Sequence, residues 1–320
     1  MNKRMKILIG YDGSENADSA VADLKHAGLP DEVDAVVLTV ADVFIAPPIT
    51  DPDEVFPAII PHSVQLAHEH AARKLKDAQL ISTYVAERLE REFPCWNVSH
   101  MGVANSPAWA IVEKAAELDV DLVVVGALGR TVLGGRVILG SVSQRVLYEA
   151  HTSVRIARPG DRKQDETLKL LVGVDNSSFS DATVDEICRR RWPRGTQVRV
   201  VAVVDTVVPV GPDPNDPSKH KWVELNDESW GEVRQIFQPS ADKLIASGLD
   251  AAVMIIRGNP KKALVEEAES WGANCIFVGS KGLRGVERLL LGSVASAVSA
   301  RAHCSVEVVR PKLTPKITTP

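Results

Sequence analysis

Two rhythms of apolar and polar residues take turns along the chain. Short apolar runs predict strands over 5–11, 34–41, 96–101, 122–126 and 154–157. Between them, apolar residues recur at helical spacing, as with Ala17, Ala20, Val21 and Leu24 on one face of 15–27. The same spacing predicts helices over 64–93, 106–118 and 142–150, with Ser106 placed to cap and Pro107 at the first helical position. The alternation then begins again. Strands at 168–175, 197–205, 251–257, 275–279 and 306–309 enclose helices at 182–191, 230–247, 260–271 and 294–302. Residues 122–126 are apolar without a break, as in a strand buried on both faces.

The second round repeats the first in its wording as well as its rhythm. MKILIGYDG at 5–13 returns as LKLLVGVDN at 168–176, and DLVVVGALG at 121–129 as NCIFVGSKG at 274–282. LGSV at 139–142 returns at 291–294, and SVRIARP at 153–159 as SVEVVRP at 305–311. Two copies of one domain follow, over 1–160 and 166–312, joined by the polar stretch 159–167. Strands alternating with helices predict an α/β, Rossmann-like fold of two tandem doubly wound five-stranded parallel sheets. Ligands of such sheets bind beyond the carboxyl ends of the strands.

Composition narrows the partners. Of the 320 residues, 45% are hydrophobic and 25% charged, an ordinary globular balance. A formal charge of −5 lacks the basic excess of a nucleic-acid binder. No apolar run reaches the ~18 residues of a membrane span, and the first residues do not read as a signal peptide. Cys95, Cys188, Cys275 and Cys304 are scattered among apolar neighbours, which predicts buried free thiols and a cytoplasmic setting.

The candidate chemistry lies at predicted strand ends. Asp12 and its copy Asp175 each follow a first strand. Either would accept a hydrogen bond from a ribose or adenine group, or would brace the turn into the next helix. Gly279, Ser280, Lys281 and Gly282 close the fourth strand of the second copy, and nine residues later Gly292, Ser293 and Val294 open a helix. Glycines admit close approach of backbone N–H groups, and a helix start attracts an anion. Lys281, Arg284 and Arg288 add positive charge nearby. The first copy has Gly126 and Gly129, then ten residues, then Gly140, Ser141 and Val142. The extra residue puts its phosphate site in question.

This Gly-x2-Gly-x9-Gly-Ser pattern, with an Asp closing the first strand, resembles the universal stress protein family, and its tandem members in particular. The resemblance covers about 5–158 and 168–310. It implies a strand order of 3-2-1-4-5 and binding of ATP, with or without Mg²⁺. By that resemblance Asp12 and Asp175 contact the adenosine, Val40 and Val204 meet adenine through backbone, and the glycines with Ser141 or Ser293 hold phosphates. It also implies pairing through the last strands, here 154–157 with 306–309 inside one chain, as a pseudo-dimer open to further homodimerisation.

Other features carry less. The proline-rich stretches 46–61 and 209–217 are lids or plain connections. His62, His68 and His70 lack zinc spacing, so no metal site is expected. Arg189, Arg190 and Arg191 read as cations at a helix end, and the six tryptophans as packing residues. The sequence shows neither a P-loop nor a Gly-x-Ser-x-Gly elbow, and no catalytic residue is assigned. The reading is an adenine-nucleotide-binding stress or regulatory protein with little or no hydrolysis and an unidentified protein partner. A nucleotide-free scaffold and a slow ATPase are the alternatives.

Overall fold

The computed structural model describes residues 4–43, 62–127, 139–159, 166–204, 207–213, 216–224, 230–282 and 291–311. The first half runs β1 (Met5–Gly10), α1 (Glu15–Asp23), β2 (Val33–Ala41), α2 (His62–Glu92), β3 (Asn97–Ala104), α3 (Pro107–Glu117), β4 (Leu122–Gly126), α4 (Ser141–Glu149) and β5 (Ser153–Ala157). The second runs β6 (Lys169–Val174), α5 (Ser178–Arg189), β7 (Gln197–Val204), β8 (Val207–Asp213), β9 (Asp216–Glu224), α6 (Trp230–Ala246), β10 (Asp250–Arg257), α7 (Pro260–Trp271), β11 (Cys275–Gly279), α8 (Ser293–Arg301) and β12 (Ser305–Val309).

Both halves build the expected sheet order, and the two sheets join. One ten-stranded sheet runs β10-β7-β6-β11-β12-β5-β4-β1-β2-β3. Within each half of this sheet the neighbouring strands are parallel. Among the described residues its single antiparallel step is at the junction, where Val306, Glu307 and Val308 face Ile156, Arg155 and Val154. The pairing predicted through the last strands is therefore the backbone of the molecule.

Burial explains why these runs become strands. Ile7, Leu8 and Ile9 of β1 and Leu122, Val123 and Val124 of β4 are fully buried, because helices cover both faces. One face carries a single apolar core that crosses the junction, from Ile111 and Leu147 through Val154, Ile156, Val306 and Val308 to Leu264 and Val298. The other face holds two separate cores, one under α1 and α2, the other under α5 and α6.

Several expectations need correction. The proline-rich stretch 209–217, read as a lid or a plain connection, contributes residues to β8 and β9, which pair antiparallel from Val207 opposite Glu224 to Asp213 opposite Asp216. Helix α5 starts at Ser178, ahead of the predicted 182, because the Ser177 hydroxyl caps it by accepting from the Ser180 N–H at 3.2 Å. Helix α6 runs straight through Pro239. Its buried stripe Val233, Phe237, Ala241 and Leu244 holds it to the sheet despite the missing donor. The cysteines are not uniformly buried: Cys275 is, Cys188 and Cys304 are half-buried, and Cys95 is exposed, though all four are free thiols. Trp109 is half exposed and not a core residue. The stretch 46–61, Gly129, Arg284 and Arg288 lie outside the described residues.

Candidate functional site

The carboxyl ends of β1 and β6 turn into α1 and α5 in the same way. Asp12 Oδ1 accepts from the Ser14 N–H at 3.0 Å, and Asp175 Oδ1 from the Ser177 N–H at 3.1 Å. The Ser177 hydroxyl adds a second bond to Asp175 at 2.5 Å. Each serine then caps its helix, with Ser14 Oγ accepting from the Ala17 N–H at 3.2 Å. The turn demands a positive φ, met by Gly13 at 81° and by Asn176 at 62° in the copy. Asn tolerates that region better than other side chains. Both aspartates therefore brace a turn, the simpler of the two roles the sequence allowed, and they do so at the sheet end where a ligand would sit.

Strand β11 brings the second half's loop to the same place. The Ser280 N–H donates to Val309 O at 2.9 Å, which fixes the chain as it leaves the sheet. The Gly292 N–H then returns to Ser280 O at 2.6 Å, so the start of α8 is stitched to the end of β11. A Cβ on Gly292 would come within 3.1 Å of that same carbonyl. Gly282 packs against the Asp175 carboxylate so closely that a Cβ there would overlap Oδ2. Gly279 lies against the backbone of Phe179, where a Cβ would meet three atoms at 3.0 Å. The glycines are thus needed for close approach, and they bring Asp175, Ser280, Gly282, Gly292 and Ser293 together.

Gly292 is the N-cap of α8 in extended conformation, with no side-chain cap. Gly140 holds the same position on α4. A helix whose first turn is uncapped by a side chain offers its N–H groups and its positive dipole end to an anion. Ser293 and Val294 open α8, and Ser141 and Val142 open α4. Lys281 Nζ stands 5.8 Å from the Phe179 ring centroid, adding a cation beside the loop.

In the first half, Gly126 admits α1, since a Cβ there would meet Asn16 O at 2.5 Å. One stitch differs. Ser143 Oγ donates to Gly126 O at 2.6 Å, whereas the corresponding residue of α8 is Ala295. Nothing local in the sequence singles out Ser143, because its role appears only once α4 is laid against β4.

Val40 and Val204, which the resemblance assigns to adenine, sit at the ends of β2 and β7. Strand register makes Val40 the counterpart of Val203, and Val204 the counterpart of Ala41. The Ala41 and Val204 carbonyls accept from Asn105 and Gly258 N–H groups at 3.1 and 3.0 Å. These bonds order the strand ends that would flank a base. Among the described residues, no three or more His, Cys, Asp or Glu side chains gather as for a metal ion.

The chain matches the model of the universal stress protein family twice, over residues 3–158 and 167–310. It belongs to that family. A universal stress protein from Mycolicibacterium smegmatis is 28% identical over 311 residues, spanning 96% of this chain and 97% of its own length. One from Mycobacterium tuberculosis is 27% identical over 330 residues, spanning 98% and 99%. Among solved structures, a universal stress protein from Archaeoglobus fulgidus superposes with a TM-score of 0.57 at 20% identity, covering 95% of this chain and 96% of that one. Both relatives and the structure match end to end, so the tandem arrangement is shared. Among the described residues, no helix is long and apolar enough to cross a membrane.

Proposed function

We propose that this universal stress protein binds an adenine nucleotide, ATP with or without Mg²⁺, at the carboxyl end of the second half's strands, and that binding is read by a protein partner in a regulatory or stress response. One observation carries the reading: Gly282 and Gly292 bring the uncapped start of α8 beside Asp175. In this reading Gly279, Ser280, Gly282, Gly292, Ser293 and Val294 surround the phosphates, Asp175 meets the ribose, and Val204 flanks the adenine. The first half offers a second site through Asp12, Val40, Gly126, Gly129, Gly140, Ser141 and Val142. The folding units are 1–160 and 166–312.

Little or no hydrolysis is part of the same reading, and one contact supports it. Asp175 is already engaged by the Ser177 N–H and hydroxyl, which suits an acceptor for a sugar hydroxyl better than a base for water. The test is to purify the chain without added nucleotide, denature it and identify released small molecules by mass spectrometry. About one adenine nucleotide per chain, lost in Gly292→Val, supports the second-half site, and about two supports both. No released nucleotide, with no heat of ATP binding by calorimetry, overturns the reading in favour of a scaffold.

A further inference from the structure

At the junction the two copies are no longer alike. Arg155 of β5 and Glu307 of β12 occupy the same place in the repeat and face each other across the antiparallel step. Both are fully buried. Arg155 Nη1 donates to Glu307 Oε2 at 3.1 Å, and its Nε donates to Asp23 Oδ2 at 2.5 Å. Arg190, at the end of α5, donates to both Glu307 oxygens and to Glu186. Burial opposes the charge on Arg155 and Arg190, but the carboxylates around them hold both guanidiniums above their usual pKa.

Size differs where charge does. Arg190 corresponds to Ala27, and its Nη1 reaches across to donate to Ala27 O at 2.8 Å. Gly28 lies under the Trp192 ring, where a Cβ would be 2.7 Å from three ring carbons. The Arg191 N–H donates to Gly28 O at 2.9 Å. By contrast, Ser153 and Ser305 make matching bonds, accepting from the Arg310 and Arg158 N–H groups at 3.0 and 3.1 Å. The strand pairing is symmetric; the side chains that close over one face of it are not.

We propose that the β5–β12 face is a heterotypic lock that accepts the opposite half of this chain and refuses a like half. Two first halves paired this way would set Arg155 against Arg155 and put the smaller Leu29 where Trp192 now covers Gly28. Two second halves would set Glu307 against Glu307 and drive Arg190 and Arg191 into space that Ala27 and Gly28 now leave open. A buried charge facing its like is strongly unfavourable, and specificity built from such clashes separates right from wrong partners. Full-length chains therefore close on themselves or exchange opposite halves. The lock is independent of any nucleotide.

Two full-length variants with different affinity tags test it. Glu307→Arg places arginine on both strands, and Arg155→Glu places glutamate on both. Expressed alone, each loses the compact monomer or melts lower by about 5 °C or more. Co-expressed, they are recovered through either tag as a one-to-one complex of twice the chain mass, because Arg155 of the Glu307→Arg chain and Glu307 of the Arg155→Glu chain, each with its native Asp23 and Arg190 beside it, re-form one junction between the two chains. The lock is overturned if either variant alone keeps the parent's mass and melting temperature, or if co-expression yields no mixed complex. Neither outcome depends on nucleotide, so this failure is distinguishable from failure of the binding reading.

Discussion

Asp175 lies directly beneath Gly282, with no room between the carboxylate and a single added methyl. The first strand and the loop after the fourth, far apart in sequence, thus share one contact. A nucleotide held by both would feel any change at either.

That contact makes Gly282→Ala informative. The methyl must push the Asp175 carboxylate aside. ATP affinity should fall at least tenfold, or about 1.4 kcal/mol, while the melting temperature changes little. Calorimetric titration of ATP beside a thermal melt checks both halves of the statement.

Arg310 performs a different task from its position at the end of β12. It is buried, and it donates to Leu147 O at 2.5 Å and Thr152 O at 3.2 Å, closing the carboxyl end of α4 in the other half. Arg158 does the same in reverse, donating to Ser299 O at the end of α8 and to Cys304 O at 3.3 Å. Desolvation depresses both guanidiniums to about 10, and at neutral pH each remains a cation at a helix carboxyl end, where positive charge is favourable. Arg310→Met should destabilise the chain by about 1–3 kcal/mol. Hydrogen exchange should quicken around 146–152 and not around 298–304, with Arg158→Met giving the converse pattern.

Gly28→Ala should be more damaging than a surface glycine change. It adds a methyl against the Trp192 ring at a φ of 63°. A loss of about 2 kcal/mol or more is expected from the clash and the left-handed backbone together. Urea unfolding followed by tryptophan fluorescence measures it. Gly195→Ala, at a φ of 78° with no neighbour within 4 Å, isolates the backbone share.

Tyr11 provides a pH test. Burial, then its 2.9 Å hydrogen bond to Asp18, pushes the phenol up to about 12. The unfolded chain releases that proton near pH 10 and the folded chain near 12, so the unfolded state is favoured as pH rises between them. The phenol's stabilising share is full below pH 10 and lost by about pH 12. Tyr11→Phe should be less stable than the parent at pH 8, by about 1 kcal/mol for the lost bond. The gap should narrow from pH 10 to 12 in thermal melts.

Much of this was legible in the residues. Apolar runs such as Ile7–Ile9 and Leu122–Val125 marked the central strands, and the repeated MKILIG/LKLLVG and LGSV words marked two copies. The junction was half legible. SVRIARP against SVEVVRP already sets Arg155 opposite Glu307 and keeps Arg158 and Arg310, but nothing local says that strand edges will bury them. Arg190 reads from the sequence as a cation at a helix end, with nothing local to say that the end is buried. The junction buries it, between Ala27 of the first half and Glu307 of β12. The β8–β9 hairpin escaped because prolines at 209, 212, 214 and 217 argue against a ladder, and an isolated two-stranded hairpin tolerates them better than a central sheet does.

The antiparallel step at the junction has a consequence for how two bound ligands would face. Strands of the two halves run in opposite senses, so the carboxyl ends of β1 and β4 open at one end of the sheet and those of β6 and β11 at the other. Two occupants would look out in opposite directions, like the faces of a coin. No single small molecule bridges them, and a partner reading both must wrap the molecule or come in two copies.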